Sequence, residues 1–192
     1  MPQVVVLAGP NGAGKTTASR NVLLQTYGVP TFVNPDLIAQ GLSGFAPEAA
    51  AVEASAIMLR RLRRMGENSE DFSFETTLAA RTYAPWLRSL RDAGYFIRLV
   101  YLWLSNSDLA VERVASRVRQ GGHSIPEPTI RRRYVRSWVN FQTIYQSLAD
   151  EWLVFDNSDP SGHRLLAWGE RGTVMQVSAP EDWKTFVKGP QS

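Results

Sequence analysis

The residues with the clearest chemistry form a glycine-rich run near the start of the chain, Gly9-Pro10-Asn11-Gly12-Ala13-Gly14-Lys15-Thr16, which Thr17 follows. The run fits the spacing G-x-x-x-x-G-K-[ST]. In this pattern the glycines let backbone N–H groups surround phosphate oxygens, the lysine reaches the β- and γ-phosphates, and the hydroxyl beside it can ligate Mg²⁺. Residues 9–17 are therefore predicted to bind a nucleotide, with Lys15 acting in catalysis and Thr16 on the metal.

A first carboxylate, Asp36, follows the sequence Phe32-Val33-Asn34-Pro35 just past the second predicted strand. The carboxyl ends of parallel strands carry the functional groups of α/β proteins, so this position lies beside the phosphate loop. A carboxylate there can accept the proton of an attacking hydroxyl during phosphoryl transfer. The alternative is a structural N-cap for the turn that begins at Leu37.

A second carboxylate, Glu75, ends the strand Phe72-Ser73-Phe74. It can hold Mg²⁺ through water or hydrogen-bond a substrate, and Thr76 and Thr77 extend the same polar edge. The alternative is a solvent-exposed strand end. Glu75 is the stronger candidate for a second metal-binding carboxylate, because the strand that ends near Leu104 continues into serine and asparagine.

An arginine-rich segment suits a lid over the phosphates. Arg113 and Arg117 lie four residues apart on one predicted helix face, Arg119 is turned away, and Gly121-Gly122-His123 follows as a hinge. Closure of the lid, about residues 113–133, would place guanidinium groups on the polyphosphate and exclude water. The alternative for each arginine is a solvated basic face.

The sequence leaves the roles of several further polar residues open. Four arginines begin the next helix and can bind an anionic substrate, RNA phosphates or only water: Arg131, Arg132, Arg133 and Arg136. His123 is read as a structural loop residue, with a proton relay as the alternative. Asn157 and Ser158 follow the last parallel strand and can edge the pocket of a nucleotide base.

Apolar periodicity predicts the elements that position these groups. Strands are predicted at 3–8, 31–34, 72–75, 95–104 and 152–156, and helices at 15–26, 47–65, 82–93, from Ser105 or Ser107 to 119, and from 126–128 to about 149. A hairpin, 165–168 with 173–177, precedes a last helix whose capping box is Ser178 with Glu181. Alternating strands and helices predict a three-layer α/β/α fold of the P-loop NTPase type, with a central parallel sheet of about five strands and a small C-terminal hairpin.

Length and composition limit the classes of function. The 192 residues are enough for one domain, residues 1–192, with the hairpin and last helix at about 164–188. The absence of cysteine excludes disulfides, thiolate catalysis and zinc–thiolate sites. The longest apolar stretch, 97–104, is too short to cross a bilayer, and no secretory signal precedes the first strand, so a cytoplasmic location without membrane attachment is expected. Net charge is only +3, although the basic residues include 18 arginines, so a nucleic-acid partner is weakly supported.

Several motifs in order resemble the zeta-toxin family of P-loop kinases. The resemblance covers about residues 3–157 and is carried by these pieces: the loop at 9–17 with Pro-Asn-Gly-Ala, Asn34-Pro35-Asp36, Phe74-Glu75-Thr76-Thr77, and Arg117 through Gly121-Gly122-His123-Ser124-Ile125-Pro126 to Arg132-Arg133-Tyr134. It implies a kinase that depends on ATP and Mg²⁺. The best-known members phosphorylate a sugar hydroxyl of UDP-N-acetylglucosamine.

The resemblance also implies residue roles. Asp36 matches the general base, Glu75 and its threonines match the substrate-side strand end, and the lid arginines match Arg113, with Arg117 or Arg119 as the second. Arg113 and Arg117 are accordingly assigned to catalysis, and Arg119 is assigned to nucleotide binding. Toxicity and an antitoxin partner are not inferred, because the chain is shorter than the longer toxins. Three functions remain open: a kinase acting on a small-molecule hydroxyl, which the acid at Asp36 favours, a kinase that processes nucleic-acid ends, and a non-catalytic nucleotide-binding switch.

Overall fold

A seven-stranded sheet forms the centre of the molecule, for which the computed structural model describes residues 1–122, 124–159 and 162–190. Its strands are β1 (Gln3–Ala8), β2 (Phe32–Val33), β3 (Phe72–Thr76), β4 (Phe96–Trp103), β5 (Glu151–Asp156), β6 (Arg164–Glu170) and β7 (Thr173–Val177). They lie in the order β2-β3-β1-β4-β5-β6-β7. The first five are parallel, whereas β6 and β7 are antiparallel and extend the sheet beyond β5. The predicted α/β fold, with a five-stranded parallel sheet and a C-terminal hairpin, is confirmed.

Eight helices pack around the sheet within the described ranges. They are α1 (Lys15–Ser19), α2 (Pro35–Leu42), α3 (Ala51–Glu67), α4 (Tyr83–Asp92), α5 (Ser107–Arg119), α6 (Glu127–Asn140), α7 (Gln146–Leu148) and α8 (Pro180–Lys188). A π-helical segment, Arg20–Thr26, continues α1, and a second, Phe141–Tyr145, joins α6 to α7. The predicted helices at 15–26 and 126–149 are therefore continuous helical segments whose hydrogen bonding changes along their length. None of the helices among the described residues combines the length and apolar character that a bilayer span requires.

Helix α2 was not predicted, and it changes the interpretation of Asp36. The side chain of Asn34 caps this helix by accepting hydrogen bonds from the backbone N–H groups of Asp36 at 2.8 Å and Leu37 at 3.4 Å. Pro35 occupies the first helical position, where its missing N–H costs nothing. The alternative prediction that Asp36 is the N-cap is wrong. Asp36 lies exposed in the first turn of α2.

Two predicted caps are also wrong. Helix α5 begins at Ser107 and is capped by Asn106, whose side chain accepts from the N–H of Leu109 at 2.8 Å, while the Ser107 hydroxyl accepts from Arg131 at 3.0 Å. Helix α8 begins at Pro180 without a side-chain cap. Its N-cap position is Ala179, so Ser178 and Glu181 do not form a capping box, and the Glu181 carboxylate pairs with Lys184 at 2.8 Å.

The core lies on both faces of the sheet. Successive residues of β1 enter opposite apolar clusters, with Val4 and Val6 in one and Val5 and Leu7 in the other. The C-terminal helix joins the first cluster through Phe186, which is fully buried. The sheet therefore holds the carboxyl ends of β1, β2 and β3 side by side, between two packed layers, at the edge where the predicted polar residues lie.

Candidate active site

The glycine-rich loop leaves β1 and enters α1 through backbone positions that only glycine suits. Gly9 has φ +142°, and a Cβ there would lie 2.2 Å from the carbonyl oxygen of Leu102. Gly14 has φ +79° at the N-cap of α1, and a Cβ there would lie 2.6 Å from Nδ2 of Asn157. That amide donates to the carbonyl of Ala13 at 2.7 Å, which ties the loop to the end of β5. The loop is therefore packed between Leu102 of β4 and Asn157 after β5, and its backbone N–H groups lie at the start of α1.

Lys15 is buried inside this loop, with 6% of its surface exposed. Its Nζ donates hydrogen bonds to the carbonyl oxygens of Gly9 and Pro10, each at 2.9 Å. The ammonium group is therefore held over the loop by the loop's own backbone. The lysine of such a loop is the residue that contacts the β- and γ-phosphates in proteins with this motif.

Glu75 joins the end of β3 to the loop. Its Oε2 accepts from Oγ1 of Thr16 at 2.9 Å and from Nδ2 of Asn34 at 2.9 Å. Its Oε1 lies 3.8 Å from Nζ of Lys15. The carboxylate, the lysine and the threonine hydroxyl predicted to act on the nucleotide are thus in one connected cluster.

The charges of the cluster act on Lys15 in both directions. Burial lowers the pKa of Lys15, and the nearby Glu75 and Asp36 carboxylates oppose this effect by raising it. The guanidinium groups of Arg117 and Arg133 lower the pKa further. Two acids and two arginines therefore lie close enough to Lys15 to influence its protonation.

A cleft of about 370 Å³ opens beside this cluster. Its lining includes the predicted site residues Asn11, Asp36, Glu75, Thr76 and Thr77. It also includes Arg133. The sequence does not distinguish the role of this residue from the roles of the other three arginines in the same helix, and the basic run Arg131-Arg132-Arg133 is the feature that indicates an anion site there. The carboxylate of Asp36 is exposed on this lining, with its backbone fixed by the cap of α2.

The other predicted lid arginines take different positions. Arg113 donates to the backbone carbonyls of Asn157 at 2.7 Å and Ser158 at 2.9 Å, so the structure ties it to the loop after β5. Arg119 lies exposed at the end of α5. The lid role predicted for Arg113 and Arg117 and the nucleotide contact predicted for Arg119 stay predictions. His123 lies outside the described residues.

Helix α6 supports the floor of the cleft, which sequence reasoning missed. Asn140, with 3% of its surface exposed, donates from Nδ2 to the carbonyl of Leu78 at 2.7 Å and accepts from Nε of Arg81 at 3.1 Å. The hydroxyl of Tyr145 donates to the carbonyl of Ala80 at 2.8 Å. Leu78 is fully buried at φ +55°, a conformation that is unfavourable for leucine and needs such support. These contacts hold the segment between β3 and α4, which carries Thr77.

Replacing Asn140 by alanine is expected to lower the free energy of unfolding by about 1–3 kcal/mol, because the buried carbonyl of Leu78 loses its donor. Urea unfolding followed by circular dichroism measures the change. The control is Asn68→Ala, which removes an exposed hydrogen bond to Glu70 and should cost less than about 0.5 kcal/mol. Equal losses in the two variants would show that Asn140 does not support the segment.

Comparison with known proteins gives a family match. A family model described as "AAA domain" matches residues 4–139, which include the glycine-rich loop, Asp36, Glu75 and most of α6. Among curated proteins, an uncharacterized protein of Haemophilus influenzae is 23% identical over 132 residues, covering 69% of this chain and 92% of that protein.

Two solved structures share the fold over nearly the whole chain. The AvrRxo1-ORF1:AvrRxo1-ORF2 structure with sulphate ions matches with a TM-score of 0.74 and 17% identity, covering 97% of this chain. This chain spans 63% of the length of the chain it matches there. The PezAT chromosomal toxin–antitoxin system of Streptococcus pneumoniae matches with a TM-score of 0.67 and 15% identity, over 94% of this chain and 76% of that one. At these identities the likeness establishes the fold.

Proposed function

This chain belongs to the AAA domain family, and from that membership and the cleft we propose that it is a kinase that transfers the γ-phosphate of ATP to a hydroxyl group of a small molecule. One observation carries the proposal: the exposed Asp36 carboxylate shares a cleft with the Glu75 carboxylate, which accepts from Thr16 and lies 3.8 Å from the ammonium of the buried loop lysine. A structure of AvrRxo1-ORF1 with AvrRxo1-ORF2 and ATP, matching with a TM-score of 0.72, supports ATP as the nucleotide for this fold.

The loop and Asp36 divide the work of the reaction. The backbone N–H groups of residues 9–17 and the Lys15 ammonium hold the β- and γ-phosphates. The acceptor hydroxyl lies in the cleft, where Asp36 takes its proton as the oxygen bonds to the γ-phosphorus. The bond between that phosphorus and the bridging oxygen breaks, and ADP leaves with the electron pair.

The oxygen atoms near the loop fit Mg²⁺. Oγ1 of Thr16 and Oε2 of Glu75 lie 2.9 Å apart, and both are the hard oxygen donors that this ion prefers. Mg²⁺ at phosphate sites takes only one or two protein ligands and completes its shell with phosphates and water. Thr16 would ligate the ion directly and Glu75 through water, and the bound ion would neutralise charge on the phosphates.

We assign charge stabilisation of the transferring group to Arg117 together with Arg133. The charges of both act on Lys15, and Arg133 lines the cleft. Arg113 is better placed to shape the base side of the nucleotide site, because it fixes the carbonyls of Asn157 and Ser158. In this arrangement the guanidinium groups of Arg117 and Arg133 would act where negative charge spreads during transfer, and Arg113 would join them only on closure of the lid.

The Glu75→Gln variant is expected to raise the Mg²⁺ concentration for half-maximal turnover by about 10- to 100-fold, since outer-shell ligands have effects of this size. The amide oxygen can still accept from Thr16 and Asn34, so the variant removes mainly the charge. Turnover measured against Mg²⁺ at fixed ATP checks this. Glu67→Gln, at the exposed end of α3, is the control, and an unchanged titration for Glu75→Gln would remove the residue from the metal site.

The proposed activity is tested directly with γ-labelled ATP and a panel of hydroxyl acceptors. The panel contains nucleotide sugars, with UDP-N-acetylglucosamine as the acceptor that the zeta-toxin resemblance implies, together with free sugars, nucleosides and RNA. A labelled small-molecule product supports the kinase. Label only in RNA would favour processing of nucleic-acid ends, and ATP binding without transfer to any acceptor would favour a switch.

A further inference from the structure

The wall of the cleft that α2, α3 and the segment after β3 contribute is neutral and polar apart from one acid. Besides Asp36, this wall includes Gln40 of α2, Ser55 of α3, and Thr77 and Tyr83 from the segment that follows β3. Small apolar side chains fill the spaces between them. The acceptor of the proposed reaction must contact this wall, because its hydroxyl has to reach Asp36.

The hydrogen-bonding groups on this wall match hydroxyl groups. The Ser55 hydroxyl donates to the carbonyl of Ala51 at 2.8 Å, so its lone pairs remain to accept. The Thr77 hydroxyl accepts from the N–H of Ala79 at 3.4 Å, so its hydrogen remains to donate. Gln40 is exposed and can do both. A hydroxyl group is itself a donor and an acceptor, and this mixed set can satisfy both roles.

The charges of the cleft disfavour an anionic acceptor. Among the described lining residues, the charged ones are Asp36, Glu75 and Arg133. Arg133 is assigned to the transferring phosphate and Glu75 lies beside Lys15, so a phosphate or carboxylate on the acceptor would face Asp36 without a cation of its own. Like charges brought together at a binding site are a strong source of discrimination.

The size of the cleft also favours a small acceptor. Its volume of about 370 Å³ is near the lower end of the range for small-molecule sites, about 300–1,000 Å³. Part of that space adjoins Glu75 and Arg133 and, in the proposed reaction, has to admit the γ-phosphate. The remaining space suits a sugar or a nucleoside better than a nucleotide sugar.

We propose that the acceptor is an uncharged compound with several hydroxyl groups, of the size of a free sugar or nucleoside, and that Gln40 helps to select it. This inference rests on the proposed kinase function and names its substrate class. It excludes acceptors whose phosphate or carboxylate group must enter the cleft.

Matched acceptors that differ in a phosphate group test the inference. The full chain is incubated with Mg²⁺ and γ-labelled ATP, and with one member of each of three pairs: N-acetylglucosamine and UDP-N-acetylglucosamine, uridine and uridine 5′-monophosphate, glucose and glucose 6-phosphate. For any pair that yields product, kcat/KM should be at least about tenfold higher for the neutral member. Equal or higher kcat/KM for the phosphorylated member overturns the inference and leaves the kinase function standing.

A positive charge introduced at Gln40 provides a second test of the inference. In Gln40→Arg the neutral-to-anionic ratio of kcat/KM should fall by about tenfold or more, because the added cation offsets the charge of Asp36. The matched control is Gln25→Arg, the same change at an exposed residue outside the cleft lining, and its ratio should stay within about threefold of the unmodified protein. An unchanged ratio in Gln40→Arg overturns the role of the wall. Absence of product from every acceptor, at millimolar concentrations and with ATP bound, overturns the proposed function and this inference with it.

Discussion

Replacement of Asp36 by asparagine is expected to lower kcat by about 10²- to 10⁴-fold, or roughly 3–5 kcal/mol in activation free energy, while ATP affinity stays nearly unchanged. General-base assistance has this magnitude, and asparagine cannot take the proton. The carboxylate is exposed on the cleft and its charge is felt at Lys15, so it lies near the phosphates without holding them.

The fold should tolerate this change, because Asn34 and not Asp36 caps α2. Asparagine keeps the backbone N–H that Asn34 accepts, and only a favourable interaction of the acid with the helix N-terminus is lost, about 0.3–1 kcal/mol. Steady-state turnover, calorimetry with an ATP analogue and urea unfolding separate the three effects. Asp92→Asn, at the exposed end of α4, is the matched control and should leave all three unchanged. Turnover of Asp36→Asn within a few-fold of the unmodified protein would show that the base assignment is wrong.

The sheet and the loop could be predicted because they depend on local patterns. A continuous apolar strand such as β1, followed by glycines and a lysine, indicates a buried parallel strand and a phosphate loop wherever it occurs. The same patterns placed Asp36 and Glu75 at one edge of the sheet. Helix α2 was missed because its stability depends on packing: Ala39 and Ile38 lie against Ala50 and Ala54, a contact between elements that periodicity does not reveal.

The partners within the site depend on register and orientation, which the sequence does not determine. Asn34 reaches Glu75 because β2 pairs with β3 in the register that sets Val33 opposite Phe74. Arg133 could not be separated from Arg131 by spacing, since periodicity tells which residues share a helix face and not what that face meets. In the structure Arg131 forms ion pairs with Asp108 and Glu127, whereas Arg133 lines the cleft.

Replacement of Lys15 by alanine is expected to have the largest effect on activity, because it removes the cation that is predicted to contact the phosphates in both the ground state and the transition state. Charge-assisted hydrogen bonds are worth about 1.5–3 kcal/mol each, so the Kd of an ATP analogue should rise by about 10- to 100-fold. Loss of a preorganised donor in the transition state should lower kcat by a further 10²- to 10³-fold, approximately. Calorimetry gives the first quantity, and turnover at saturating ATP gives the second.

The variant should nevertheless fold, since the buried ammonium does not stabilise the protein as a charge. Burial lowers the pKa of Lys15, which means that folding disfavours its charged form, and removing the group relieves that cost. Against this relief stands the loss of two hydrogen bonds to the carbonyls of Gly9 and Pro10, so the unfolding free energy should change by no more than about 1 kcal/mol. Lys184→Ala, which removes an exposed lysine paired with Glu181, is the control for both activity and stability. An unchanged affinity for the ATP analogue in Lys15→Ala would refute the assignment of residues 9–17 as the nucleotide site, because no other described lysine lies near the cleft to replace it.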